Sequence, residues 1–127
     1  MAGPSYRLLR SATAVADIAA IQAYTVRTHG REAARAYNLL LRQAFKDIRE
    51  DPFRPGSKAR PEIAAGVRTY HVSFSRGRAA STVKRPRHVI LYYQAGEDQI
   101  AISRILHDSR DFARHLPPDD TGPDGND

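Results

Sequence analysis

Apolar positions along this chain change period twice, and the changes mark out its elements. Tyr6 to Arg10, YRLLR, is a short apolar run of the kind that opens a strand, and Ser11 or Thr13 behind it supplies a helix cap. Ala14, Ile18, Ile21 and Thr25 then recur at three- and four-residue steps. That spacing predicts a helix over residues 12–29, ending at His29-Gly30, where glycine suits a left-handed stop. The stripe resumes at once with Ala34, Tyr37, Leu41, Ala44, Phe45 and Ile48, while Arg31, Arg35, Arg42, Lys46 and Arg49 fall beside or behind it. It runs to Asp51-Pro52, because proline disfavours helical geometry in the residue before it. Two helices joined by so short a turn must lie antiparallel as a hairpin, with Tyr24 and Tyr37 expected in its core or seam.

Beyond the proline-rich loop DPFRPGSKARP, residues 51–61, the period becomes two. Val67 to Ser75 sets Tyr70, Val72 and Phe74 against His71, Ser73 and Ser75, the pattern of a strand with one buried and one polar face. Arg76 to Arg87, RGRAASTVKRPR, reads as a mobile loop or a long hairpin tip. His88 to Tyr93, HVILYY, is the most continuous apolar run and the expected central strand. Ala95 to Asp98 supplies a turn, and Gln99 to Leu106 returns antiparallel as the last strand. Ser109 to His115 leaves room for a short helix stopped by Pro117-Pro118.

The order β-α-α-β-β-β implies an α+β domain, with the helical hairpin packed on one face of a small, mostly antiparallel sheet. The expected domain covers residues 1–116, and residues 117–127 form a disordered acidic tail, too poor in apolar residues to order. The opposite sheet face is expected to stay open as a shallow, basic surface.

Charge adds a partner class to this picture. The net charge is +6, but PPDDTGPDGND at the end holds four acidic residues and no basic one, so residues 1–116 carry 20 basic against 10 acidic groups. Ile63 to Gly96 contains six Arg or Lys and no Asp or Glu. Such a surface attracts polyanions. Within it Arg76, Arg78, Lys84, Arg85 and Arg87 read either as a phosphate-contacting arm or as a solvated connector. Without cysteine, disulfides and thiolate zinc sites are excluded, and the histidines lack the HExxH spacing, so neither metal nor cofactor is expected. No apolar run is long enough to span a bilayer, and MAGPSYRLLR lacks a signal core, so a cytoplasmic protein with no membrane partner is expected.

Candidate chemistry concentrates in Glu97 to Asp111, EDQIAISRILHDSRD, where an alternating strand ends among Arg104, His107, Asp108, Arg110 and Asp111. Those charges suit a functional strand end, or equally an ion pair that fixes the terminus. Arg104 shares parity with Ile100 and Ile102, so in an unbroken strand it points toward the helices.

The run YRLLRSATAVADIAAIQAY, the helix ending KDIREDP, and then GVRTYHVSFS, HVILYYQ and IAISRILHDSRDFARHLP resemble the RelE/ParE toxins of bacterial type II toxin–antitoxin modules. Arg104-Ile105-Leu106-His107 with Arg110-Asp111 is the most specific piece and is closest to the ParE branch. The resemblance implies the α+β sandwich deduced above, and a hetero-oligomer with a cognate antitoxin whose extended acidic C-terminal segment wraps the toxin. ParE-type members inhibit DNA gyrase without bond-breaking chemistry of their own, causing growth arrest. RelE-type members are metal-independent endoribonucleases that cut messenger RNA on the ribosome. On the first reading Arg68, Arg104, His107 and Arg110 are expected to touch target or antitoxin. On the second, Arg68 and Arg104 bind phosphate while Tyr92, His107 and Glu97 are the acid–base candidates. Many relatives have an apolar residue at the place of Arg110. A third reading is an inactive binding module or co-repressor partner.

Overall fold

Residues 5–110 are described by the computed structural model. They form β1 (Arg7–Arg10), α1 (Ala12–His29), α2 (Arg31–Glu50), β2 (Lys58–Ala59), β3 (Arg68–His71), a 3-10 helix (Val72–Arg78), β4 (His88–Gly96) and β5 (Gln99–His107). The five strands make one sheet in the order β1-β5-β4-β3-β2. Three pairings are antiparallel, and β1 runs parallel to β5 with Arg7 opposite Gln99 and Arg10 opposite Ile102. The expected α+β architecture is therefore present, with the two-residue β2 added from the proline-rich loop. The expected helix at Ser109 to His115 and the acidic tail lie largely or wholly outside the described residues.

Both helix boundaries follow from local chemistry. Ser11 caps α1, its Oγ accepting the Ala14 N–H at 2.9 Å. Gly30, at φ +94°, ends α1 by donating its N–H to Val26 and starts α2 by accepting from Ala34. One residue thus makes the hairpin turn, and its positive φ is why it is glycine. α2 lays Tyr37, Leu40, Leu41, Ala44, Phe45 and Ile48 against Tyr70, Ile90, Tyr92, Ile100, Ile102 and Ile105 of the sheet. Leu40, Leu41 and Ile48 are fully buried, and truncating any of them to alanine costs about 2–5 kcal/mol. α1 buries only Ala14 and Ile21, and Tyr24, expected in the hairpin core, is 56% exposed. The opposite sheet face is not bare either. Val89, Leu91 and Leu106 form a second buried cluster there, with Ile63 packed on it.

The expected strand Val67 to Ser75 stops at His71 and winds into the 3-10 helix. A buried carboxylate explains the change. Asp47 faces the core from α2, and its Oδ2 accepts from Ser75 Oγ at 2.6 Å while Oδ1 accepts from Gln43 Nε2 at 2.9 Å. Arg78 Nε stands 3.5 Å from the same carboxylate and Arg54 Nη1 3.9 Å. An unpaired buried charge is expensive, and winding residues 72–78 brings Ser75 and Arg78 to it. Phe74 consequently leaves the core, 56% exposed, with its ring lying over Gly56.

β5 contains the other departure from simple alternation. Leu91 pairs with Arg104 but Tyr92 pairs with Ile102, so Ser103 is the extra residue of a bulge and the phase of the strand flips beyond it. Ile105, and not Arg104, joins the helix-side core. β1 ends opposite Ile102, and α1 serves the edge of β5 from there. Ser11 N–H donates to the Ile102 carbonyl, Ser11 Oγ to the Ser103 carbonyl, and Asp17 Oδ2 accepts the Ile105 N–H at 2.9 Å. Asp17 also takes Arg104 in a two-pronged bridge, Nε to Oδ2 at 2.8 Å and Nη2 to Oδ1 at 3.0 Å.

A third polar tie joins α2 to β4, where Tyr37 Oη and His88 Nδ1 are 2.6 Å apart. Burial pushes the Tyr37 phenol up to about 12 and the His88 imidazole down to about 4, so both stay neutral at physiological pH.

Two outcomes are expected. Asp17→Ala strands the Arg104 guanidinium and the Ile105 N–H, and should lower unfolding free energy by about 2–4 kcal/mol in urea titrations, with Asp17→Asn losing less because its amide oxygen still accepts. Acidification should also destabilise the protein. Below the ordinary histidine value of about 6.5 the unfolded chain protonates His88 while the native state resists down to about 4, so this contribution is complete above that upper value and lost toward the lower. The urea midpoint should fall between pH 7 and pH 5, and His88→Gln should flatten that fall.

Candidate functional site at the strand ends

The ends of β3, β4 and β5 bring His71, His88 and His107 together. His88 is the register partner of His107, and His71 the partner of Val89 on the next strand. Asp108, immediately past β5, sits among them. Its carboxylate accepts from Arg87 Nε at 3.0 Å and Nη2 at 2.8 Å, and its Oδ2 lies 3.0 Å from His71 Nε2. The Arg87 hydrogen bonds first, and then that of His71, hold the Asp108 carboxyl far below the usual carboxylate range. The same pair raises Arg87. Asp108 also donates its backbone N–H to the Arg87 carbonyl, so Arg87 is fastened twice. This is the ion pair that fixes the strand end.

His107 is the accessible member, with a side chain 42% exposed. Its Nδ1 contacts Ser109 Oγ at 2.8 Å, and its ring meets His88 edge-on with centroids 5.6 Å apart. Both rings face a groove of about 490 Å³ that runs between the helical hairpin and residues 82–87. Tyr24, His29 and Tyr37 line one wall, and Lys84, Arg85 and Arg87 the other. The arrangement offers cations and hydrogen-bonding rings to an anionic group. It offers little acid–base chemistry, since Asp108 is taken up by Arg87 and His71, and His88 by Tyr37.

The remaining expected site residues lie elsewhere. Arg68 and Tyr92 are register partners on β3 and β4. They share a directed chain in which Arg68 Nε donates to Ser57 Oγ at 2.7 Å, Ser57 contacts Tyr92 Oη, and Tyr92 Oη donates to the Pro52 carbonyl at 2.6 Å. Tyr92 is 1% exposed and its phenol is raised by burial, so it is a structural group. Arg68 also lies 4.9 Å over the Phe53 ring, at a depression of about 290 Å³ shared with Gly66 and Gln94. Tyr92 and His88 are four residues apart on one strand, about 13 Å. Arg104 is held by Asp17, Glu97 sits at the far β4–β5 turn, and Arg110 closes the turn after β5 with its N–H on the His107 carbonyl. Arg68, Tyr92, Arg104 and His107 therefore do not converge.

The basic loop is not a free arm. Arg76 Nη1 donates to the Lys84 carbonyl at 2.9 Å, Ser81 Oγ to the Ala36 carbonyl at 2.7 Å, and Val83 packs on the core. Arg78 faces Asp47 and Glu50, leaving Lys84 and Arg85 to accompany Arg87 in the groove. Asp17, Asp47 and His88 are polar anchors that the sequence pattern does not single out. Asp17 and Asp47 do carry a signal, since each interrupts an apolar stripe one helical turn after a buried alanine, Ala14 and Ala44. Among the described residues no group of three or more His, Asp or Glu is placed to hold a metal, and no helix is long and apolar enough to cross a membrane.

Comparison with known proteins agrees with this scaffold. A solved structure described as the chromosomal ParDE toxin–antitoxin system from P. aeruginosa superposes with a TM-score of 0.60 at 23% identity, covering 81% of this chain and 96% of that one. The toxin–antitoxin complex RelBE2 from Mycobacterium tuberculosis gives a TM-score of 0.50 at 20% identity, with 82% and 99% covered. No curated protein matches. The family model for the ParE toxin of the type II toxin–antitoxin system parDE matches residues 8–112, from β1 to just beyond the turn after β5, and the chain belongs to that family of toxins.

Proposed function

We propose that this toxin acts by binding, with DNA gyrase as its target, and that it is held inactive by an antitoxin carrying an extended acidic segment. The observation that carries the reading is the dispersal of the groups that RNA cleavage needs. A metal-independent ribonuclease requires a base, an acid and phosphate-binding cations within hydrogen-bond reach of one phosphodiester. Here Tyr92 is buried and donates to a backbone carbonyl, Arg104 is paired with Asp17, and His107 lies at the other end of the strands.

Antitoxin binding is supported by the solved relatives, which are toxin–antitoxin complexes, and by the basic excess of residues 1–116. An acidic segment would meet cations on several faces of the domain. The groove beside His107 is one such face, and Lys84, Arg85 and Arg87 are its charged wall. On this reading His107 and Arg110 contact target or antitoxin, and Arg104 holds the strand that presents them.

Purified protein added to gyrase, supercoiled DNA and ATP should accumulate cleaved-DNA complexes. Normal supercoiling together with A-site cleavage in a translation reaction would establish the ribonuclease instead, and inactivity in both would leave a binding module. Tyr92→Phe discriminates within cells. It should cost about 1 kcal/mol of stability and leave growth arrest intact, whereas a ribonuclease using that phenol would lose its activity by orders of magnitude.

A further inference from the structure

Apart from the histidine groove, a groove of about 520 Å³ lies between β1 and the outer face of α2. Arg42, Lys46 and Arg49 line it from α2, and Arg10 faces them from β1. All four are exposed, and among the described residues none of them is in an ion pair. No Asp or Glu lines the groove. The nearest acid in sequence to Lys46 is Asp47, which is turned into the core, and Glu50 faces Arg78. Like charges are thus left side by side without internal compensation, which a fold tolerates at low cost only in water or against an anion.

Spacing indicates the anion. Arg35, Arg42, Lys46 and Arg49 fall on one stripe of α2, about 21 Å from end to end at 1.5 Å per residue. The steps from Arg42 to Lys46 and from Lys46 to Arg49 are about 6 and 4.5 Å along the axis, close enough for long, flexible side chains to reach neighbouring phosphates of one backbone. Arg10 is set at a fixed height by its contact with the Phe45 ring, 5.2 Å from its centroid. Phe45 itself is 6% exposed, so no aromatic face is available for stacking a base. A row of cations with a polar lining and no stacking platform suits a phosphodiester backbone read without sequence. An acidic amphipathic helix would need a broad apolar floor, and here Leu39 is the one large apolar side chain of the lining exposed beyond about 40%.

We infer that the groove between β1 and α2 is a binding site for the phosphate backbone of duplex DNA, with Arg10, Arg42, Lys46 and Arg49 as its contacts. The site does not depend on gyrase being the target. It gives the toxin a sequence-independent hold on DNA, at a groove distinct from the histidine groove.

Fluorescence anisotropy of the full chain with labelled 20-base-pair duplexes of two unrelated sequences tests it. Three to four phosphate contacts should give equal affinity for both sequences and a log–log salt slope of about −3, so that binding weakens roughly 60-fold between 50 and 200 mM salt. The exposed double variant Arg42→Gln/Lys46→Gln, checked for native circular dichroism, should bring the slope to between about −1 and −2, while Arg27→Gln, exposed and outside both grooves, should leave it unchanged. No binding at 50 mM salt, or an unaltered slope in the α2 variant, would overturn the assignment. So would polyglutamate competing as well as DNA at equal charge, which would mark the groove as a protein-docking surface. Because naked duplex is the probe, a negative result here leaves the gyrase assay to stand or fall separately.

Discussion

β5 is nine residues long and its parallel neighbour β1 only four, and the arrangement of the domain depends on how that mismatch is closed. A buried strand edge cannot be left with bare N–H and C=O groups. Beyond Ile102 the partner of β5 changes from a strand to a helix, with Ser11 and Asp17 supplying the acceptor and donors that β1 no longer offers. This places the first turns of α1 against the strand edge. The helical hairpin is then positioned by Gly30, and α2 by the core it covers.

That closure also determines what the strand presents. The bulge at Ser103 turns Ile105 into the core and leaves Arg104 to reach Asp17, so the arginine most prominent in the sequence becomes part of the frame. Past it, the ordinary alternation sets His107 opposite His88 and leaves Asp108 to collect Arg87 and His71. The strand end is exposed histidine surface and charge clamp at once. Asp108 and Arg87 hold the corner, while the His107 imidazole remains at the mouth of the groove. A bulge beside a functional edge re-aims side chains in this way generally.

Polar groups buried within the fold recur as organisers of the surface. Asp47 recruits Ser75 and Arg78 and so winds residues 72–78; Tyr37 holds His88 and receives the Arg87 N–H at 3.3 Å; Tyr92 ties β4 to the loop at Pro52 and Ser57. Each joins α2 or its following loop to the sheet. Each of these anchors is itself hydrogen-bonded, which stabilises the fold and removes it from acid–base chemistry. Among the cations outside these networks, Lys84 and Arg85 line the groove by the histidines, and Arg42, Lys46 and Arg49 of α2 line another with Arg10 of β1.

The helical hairpin, its Gly30 turn, the end at Asp51, and strands β4 and β5 were legible in the sequence, because periodicity, capping and turn chemistry act over a few residues. The apolar stripe of α2 from Ala34 to Ile48 is buried as its spacing requires. Val72 to Arg78 misled, since a period-two pattern there competes with a carboxylate 28 residues earlier in the chain. The parity of Arg104 holds only for an unbroken strand, and the bulge at Ser103 reverses it, although the side chain still reaches α1 through Asp17. Residue type located the cations and histidines, but which charges neutralise one another is a long-range matter. Only the tertiary structure separates Arg78 and Arg104, which pair within the fold, and Arg87, which clamps Asp108 while lining the groove, from Lys84, Arg85, Arg42, Lys46 and Arg49, which line the two grooves.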